Sequence, residues 1–394
     1  MRLSYLDGLR GYAALTVVFG HAQMFYPGFV EFKTHLNPLW LRYLFNAALF
    51  PFEAGTFAVY VFFVLSGFVI AASASRSDAP LPLIAFKRYL RLTLPMIATA
   101  LAAWFLVKLF PHATAIPAEI SKENWIATIY GAGPVKWPVA LRDVTWKTYW
   151  NGFSYIDPVL WTMQVELIGS LCIYTLYAAV KPAARPYVLA ALGLFCANQA
   201  GNYLGFVLGT ALYEAHRNQL LKPLARGWLP LLLTGMICGA FGQLDPLWRW
   251  LRVLSKAGLI EDNPMPALWS LSAALIVLSL LVSEPFQKLM SARPFQPLGR
   301  ISFSLYLIHM PLLGTLLSWS YAVMLPHHST VEIMAWEAGF VAIALLAALA
   351  MTAMIDEPVL GLTARIWSKE AAKLRYAARP GSRRSSPAPD RAAE

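Results

Sequence analysis

Residues 6–28, LDGLRGYAALTVVFGHAQMFYPG, make an apolar run long enough to cross a bilayer, yet they hold Arg10 and His21. Whether that run is a membrane helix decides the fold. Of 394 residues, 58% are hydrophobic and 13% are charged, against about 25% charged in an average soluble domain. Apolar runs near the ~20 residues of a membrane span recur along nearly the whole chain. The pattern predicts an all-α, polytopic integral membrane protein of about ten transmembrane helices.

The candidate spans are 8–26, 56–73, 92–110, 158–180, 187–199, 202–214, 228–242, 268–283, 302–323 and 333–355. The fifth and sixth are short and separated by NQAGN (198–202), which suits a tight hairpin or a partly re-entrant pair. With the N-terminus inside, about two thirds of the Lys and Arg fall on cytoplasmic segments, as the positive-inside rule requires. Both termini are then cytoplasmic. Arg2 ahead of an apolar stretch imitates a signal peptide, but Asp7 and Arg10 precede the apolar core and no small-residue cleavage site follows. Residues 1–360 read as one membrane domain. Residues 361–394 read as a basic, Pro-, Ser- and Ala-rich cytoplasmic tail, expected to be disordered and to touch anionic lipid headgroups.

Two outer loops are expected, 111–157 and 243–267. The tryptophans and tyrosines of the first suit either an interfacial belt or a sugar-stacking surface. The net charge of +11 has no soluble region large enough to serve a nucleic-acid module, so the bilayer explains it and no nucleic acid is expected as partner. Cys172, Cys196 and Cys238 lie in apolar runs without a CxxC, and His327 and His328 are adjacent in a loop. No metal site is expected.

An ionised side chain at mid-membrane costs about 2.5 to 3.5 kcal/mol on insertion scales, so each one needs a partner or a task. Arg10 and His21 are eleven residues apart, which puts them on one helix face about 16.5 Å apart along the axis, Arg10 near the cytoplasmic surface and His21 beyond the midplane. The fourth span, opening DPVLWTMQVELIGSL (157–171), places Glu166 about 12 Å from its outer end, and His21 has about 8 Å of its own span left. At such similar depths the two are expected to be able to meet, as a general base with its orienter, as a structural pair or as a proton pathway. In AFKRYLRLTLP (85–95), Arg88 and Arg91 share a helix face at the cytoplasmic end of the third span, with Lys87 beside them. Together with Arg10 they suggest a basic mouth that suits phosphates, although arginines also flank cytoplasmic helix ends for topological reasons. Ser66 and Gly67 lie among aromatics in VYVFFVLSGFVIAAS (59–73), where small residues admit either a neighbouring helix or a thin ligand. His309, in RISFSLYLIHMP (300–311), falls about 10 Å from the inner surface. That is too shallow to share a level with His21, and the expected role is structural or along a donor channel.

These fragments, in this order and in this relation to the spans, resemble the acyltransferase 3 family of integral-membrane O-acyltransferases. The resemblance runs from YLDGLRGYAALTVVFGH (5–21) through FFVLSGFVI, KRYLRLTLP and LWTMQVE to ISFSLYLIHMP and DEPV (356–359). It implies about ten membrane helices and transfer of an acyl group, commonly acetyl, from cytoplasmic acyl-CoA to hydroxyls of carbohydrate or glycoside acceptors in a bacterial inner membrane. It also implies His21 as base or proton carrier, Arg10 as its partner, and Arg88 and Arg91 serving the donor, here acetyl-CoA. Many polysaccharide acetylases of the family read Trp-Ser-Leu followed by two successive glutamates, whereas this chain has Trp161, Thr162, Met163, Gln164, Val165 and the single Glu166. No SGNH-hydrolase-like domain follows the last span, so transfer is expected within the membrane domain or with a separate partner. On the residues alone two rivals stand: a transporter of a small metabolite or glycoside using His21 and Glu166 as a proton relay, and a non-catalytic acceptor-binding subunit. Oligomeric state is not readable from the sequence.

Overall fold

The structure is a computed structural model that describes residues 3–25, 54–77, 79–111, 113, 135–240, 253, 255–257, 263–324 and 329–366. Residues 112, 114–134, 243–252, 254 and 258–262 of the two loops, His327, His328 and tail residues 367–394 lie outside the described residues.

Every one of the ten apolar segments is a helix, and no strand occurs among the described residues. In chain order they are α1 (Ser4–Phe25), α2 (Gly55–Ala74), α3 (Leu81–Leu109), α4 (Trp161–Ala179), α5 (Arg185–Gln199), α6 (Gly201–Arg217), α7 (Trp228–Ala240), α8 (Met265–Val282), α9 (Phe295–Leu312) and α10 (Thr330–Met351). Six helical stretches, 55–74, 81–109, 158–179, 265–282, 295–321 and 331–366, are each long and apolar enough to cross a membrane. The last runs past residue 360, the end drawn for the membrane domain, to Ile366. The protein is an all-α, multi-pass membrane protein.

Several helices extend beyond the apolar stretch that announced them. The third was expected from residue 92, but α3 begins at Leu81, so Lys87, Arg88 and Arg91 ride within its first three turns. The ninth was expected from residue 302, but α9 begins at Phe295, about 10 Å earlier. Pro297 tolerates this start because a helix's first turn has N–H groups without intrahelical partners. One residue, Ala200, separates α5 from α6, so NQAGN makes a tight helical hairpin.

The close approaches are set by glycines. A Cβ on Gly11 would overlap the Leu298–Gly299 backbone, and one on Gly299 would overlap the Asp7 carbonyl. Only Gly at both positions lets α1 and α9 lie backbone to backbone. Likewise, Gly67 of α2 abuts the Phe206 backbone of α6, so its role is the packing one.

The described end of the loop 111–157 is not a free outer segment. Residues 137–151 form a short helix with a π-helical stretch at Asp143–Lys147, and it runs antiparallel alongside α3. Trp104 Nε1 donates to the Val135 carbonyl, the Tyr89 hydroxyl donates to the Thr145 carbonyl, and Thr93 bonds Tyr149. The chain reverses at Gly152, whose φ of 63° is left-handed, and climbs back to enter α4. Asp143 Oδ2 holds that return, accepting from Ser154 Oγ and Tyr155 N.

Candidate active site

A cavity of about 810 Å³ lies between α1, α2, α3, α4, α9 and the segment after α10. It extends from Ser4 and Gln296, at the N-termini of α1 and α9, to Thr162 and Tyr306, about 15 Å farther along α9. Arg10, Ser66, Arg88, Arg91 and Glu166 all line it. Five of the seven residues singled out from the sequence are thus brought together. Gly67 faces α6 instead, and His21 is not among the lining residues.

The mouth is not simply basic. Arg10, Arg88, Arg91 and Arg300 line the cavity beside Asp7, Glu166, Asp356 and Glu357. Arg10 Nη1 bonds Asp7 Oδ1 at 3.2 Å, and Arg300 grips both oxygens of Glu357 through Nε at 2.7 Å and Nη2 at 2.9 Å. Charges inside a membrane domain need partners, and most of these have one. Asp356 and Glu357 were missed because DEPV was read only as a family fragment; Asp356 reaches the cavity because the helix loosens into a π-turn over Thr352–Asp356.

Glu166 holds a structural knot. Its Oε1 accepts from Ser66 Oγ at 2.6 Å and its Oε2 from Arg88 Nη2 at 2.6 Å, while Arg88 Nε donates to Ser170 Oγ at 3.0 Å. This joins α2, α3 and α4 at one level. Glu166 is therefore committed to Arg88 and Ser66, and the hydrogen bond expected between Glu166 and His21 is not formed. Arg91, by contrast, makes no hydrogen bond or ion pair among the described residues. It is accessible, but what it is accessible to is the cavity, where its electrostatic neighbours are Arg88, Asp356, Arg10 and Glu166.

His21 meets His309. Nδ1 of His21 lies 3.0 Å from Nε2 of His309, and the rings stack at 5.1 Å between centroids and 26° between planes. The expectation that His309 sits too shallow fails because α9 starts seven residues early, which puts His309 about 21 Å into its helix. The pairing has a simple geometric cause. His21 follows Gly11 by ten residues and His309 follows Gly299 by ten, so parallel helices touching at the glycines bring the histidines to one level. Offsets of 0, 3, 7 and 10 residues are the seam positions of a heptad, which keeps both rings at the α1–α9 interface. His309 is fully buried, and the ring of Tyr306, which lines the cavity, lies 5.9 Å away from it. The Tyr306 hydroxyl is held by the Val159 carbonyl and by Thr162. The described residues contain no group of side chains able to hold a metal ion.

The O-acetyltransferase PaAT-1 of Phomopsis amygdali is 25% identical over 377 residues, covering 79% of this chain and 72% of the relative. No solved structure matches the chain. A family model described as acyltransferase domain matches residues 3–354, which includes every residue of the site apart from Asp356, Glu357 and Leu360 at the end of the last helix. The chain belongs to the acyltransferase 3 family of membrane-embedded acyl-group transferases.

Proposed function

We propose that the protein is an O-acyltransferase that moves an acetyl group from cytoplasmic acetyl-CoA to a hydroxyl of a carbohydrate or glycoside acceptor, with His21 as the general base. The observation that carries this reading is the cavity that gathers Arg10, Arg88 and Arg91 at one end and reaches Tyr306, beside the histidine pair, at the other. The volume is that of a small-molecule site. Basic segments are cytoplasmic on the positive-inside rule, so the end lined by Ser4, Gln296 and the arginines faces the donor pool. The donor's phosphates bind Arg91, whose guanidinium is not taken by a carboxylate among the described residues, and the acyl thioester extends along α2 past Ser66 and α9 toward Tyr306.

At the far end the acceptor hydroxyl gives its proton to His21 and its oxygen attacks the thioester carbonyl. The C–S bond breaks, and the proton returns from His21 to the departing thiolate. Atoms balance: an ester and a free thiol replace an alcohol and a thioester. Glu166 takes no proton in this scheme; it fixes Arg88, and through it α2 against α3 and α4. The oxygen acceptor and the acetyl group follow the name of the fungal relative, an O-acetyltransferase. The carbohydrate rests on the family resemblance. Membership of an acyltransferase family supports the transferase reading over the transporter and the non-catalytic subunit.

The test is transfer of radiolabelled acetyl from acetyl-CoA to a panel of glycosides by purified protein in nanodiscs. Labelled ester on one acceptor class supports the reading. Label that stays on CoA with every hydroxyl acceptor, while another acyl thioester is consumed, contradicts the acetyl assignment.

A further inference from the structure

The hydrogen bonds around the histidine pair fix where its protons sit. Nδ1 of His309 lies 3.1 Å from the Leu305 carbonyl oxygen, one turn back on α9. A carbonyl oxygen only accepts, so Nδ1 of His309 carries a proton and, in the neutral ring, its Nε2 is a lone pair. Nδ1 of His21 lies 3.0 Å from that lone pair, so it is a donor and carries a proton in its turn. A neutral imidazole holds a single N–H. Nε2 of His21 is therefore bare.

We infer that His309 is a positioning residue, which holds His21 in the Nδ1–H tautomer and so presents Nε2 as the nitrogen that takes the acceptor's proton. This rests on the reading of His21 as the base and adds how the base is made. When Nε2 receives the proton from the acceptor hydroxyl, Nδ1–H keeps its hydrogen bond to His309, and the charge that forms on His21 faces a lone pair. When the proton leaves for the thiolate, the same bond restores the original tautomer. The chain of donors ends at a main-chain carbonyl, so the direction cannot invert without breaking the His309–Leu305 bond. The device uses two imidazoles and a carbonyl, with no carboxylate hydrogen-bonded to either ring among the described residues. Glu166, the carboxylate expected there from the sequence, is held elsewhere.

The test compares kcat and donor KM for wild type, His21→Ala, His309→Ala and His309→Gln in nanodiscs, each checked by size-exclusion and thermal unfolding. His309→Ala should lower kcat by roughly 10²-fold, the lower range for loss of an acid-base group, with donor KM within about 2-fold of wild type. The amide oxygen of Gln accepts from His21 Nδ1, so His309→Gln should regain kcat by about 10-fold over Ala. A donor KM that rises while kcat holds, or a Gln variant no better than Ala, overturns the inference. If His21→Ala is inactive while His309→Ala keeps kcat within about 3-fold, the positioning role falls and the base stands; if His21→Ala is active, the base itself falls. A second measurement needs no folded His309 variant. Nitrogen chemical shifts of ¹⁵N-histidine-labelled wild type, with the His21 signals identified by their loss in His21→Ala, should show a protonated Nδ1 and a bare Nε2. The opposite tautomer overturns the proposal.

Discussion

Arg88 and Arg91 are separated by one helical turn, and their surroundings divide their tasks. Arg88 is bonded to Glu166 and Ser170, whereas Arg91 has the cavity in front of it and no partner at ion-pair distance among the described residues. Arg91→Ala should raise the donor KM by about 10-fold or more, the scale of a charge-assisted hydrogen bond of roughly 1.5–3 kcal/mol, with kcat little changed. Initial-rate kinetics over a range of acetyl-CoA concentrations would show it, and an unchanged KM would remove Arg91 from the donor site. The knot predicts a different failure. Glu166→Ala leaves Arg88 with no carboxylate in a half-buried position, and breaking such a pair typically costs about 3–5 kcal/mol where it is fully buried, less here. The variant should melt at a lower temperature, while Glu166→Gln, whose amide oxygen can accept from Arg88 while its amide N–H donates to the Ser66 hydroxyl, should keep most of the stability and activity. Loss of turnover in Glu166→Gln at unchanged stability would instead make Glu166 a proton carrier.

At the scale of elements, the α1–α9 contact is where packing becomes chemistry. Gly11 and Gly299 admit the close approach, and the equal ten-residue spacings to His21 and His309 convert it into a hydrogen bond. A side chain at either glycine must push the helices apart by more than the bond's tolerance. Gly299→Val should therefore lower kcat by at least about 10²-fold, and should lower thermal stability as well, since overpacking costs about 1–3 kcal/mol. Full activity in Gly299→Val would show that the helices tolerate separation. The equal spacings were present in the sequence as G-x9-H twice, in residues 11–21 and 299–309. They went unread because the start of α9 was taken from hydropathy, and first two turns containing Pro297 and Arg300 do not look apolar. The same bias shortened α3, whose first turns carry Lys87, Arg88 and Arg91. Hydropathy finds the part of a helix that meets lipid, and functional helices here extend beyond it toward the cavity mouth.

For the whole molecule, composition and apolar periodicity carried the fold class, because a membrane domain must satisfy its backbone with helices and cover them with apolar side chains. Ten helices stand where ten apolar segments were read, and six of them meet length and hydropathy requirements on their own. The site was only partly legible. Arg10, Ser66, Arg88, Arg91 and Glu166 do share a cavity, but which acid pairs with which base depends on helix rotation and register, and depth estimates from span ends are too coarse to decide that. Orientation remains a prediction of the charge distribution: a cysteine placed at Ser4, in an otherwise cysteine-free protein, should react with a membrane-impermeant maleimide only from the cytoplasmic side of spheroplasts or inverted vesicles. Labelling from the outer side would invert the donor end of the cavity. The central claim is that this membrane domain itself moves an acyl group from a thioester by way of His21. The most direct measurement is the rate of free CoA thiol release by purified wild type and His21→Ala, with acetyl-CoA present and a glycoside acceptor added or withheld. The account predicts release that depends on the acceptor in the wild type and falls by at least about 10²-fold in the variant; equal acceptor-dependent release by both proteins would contradict it.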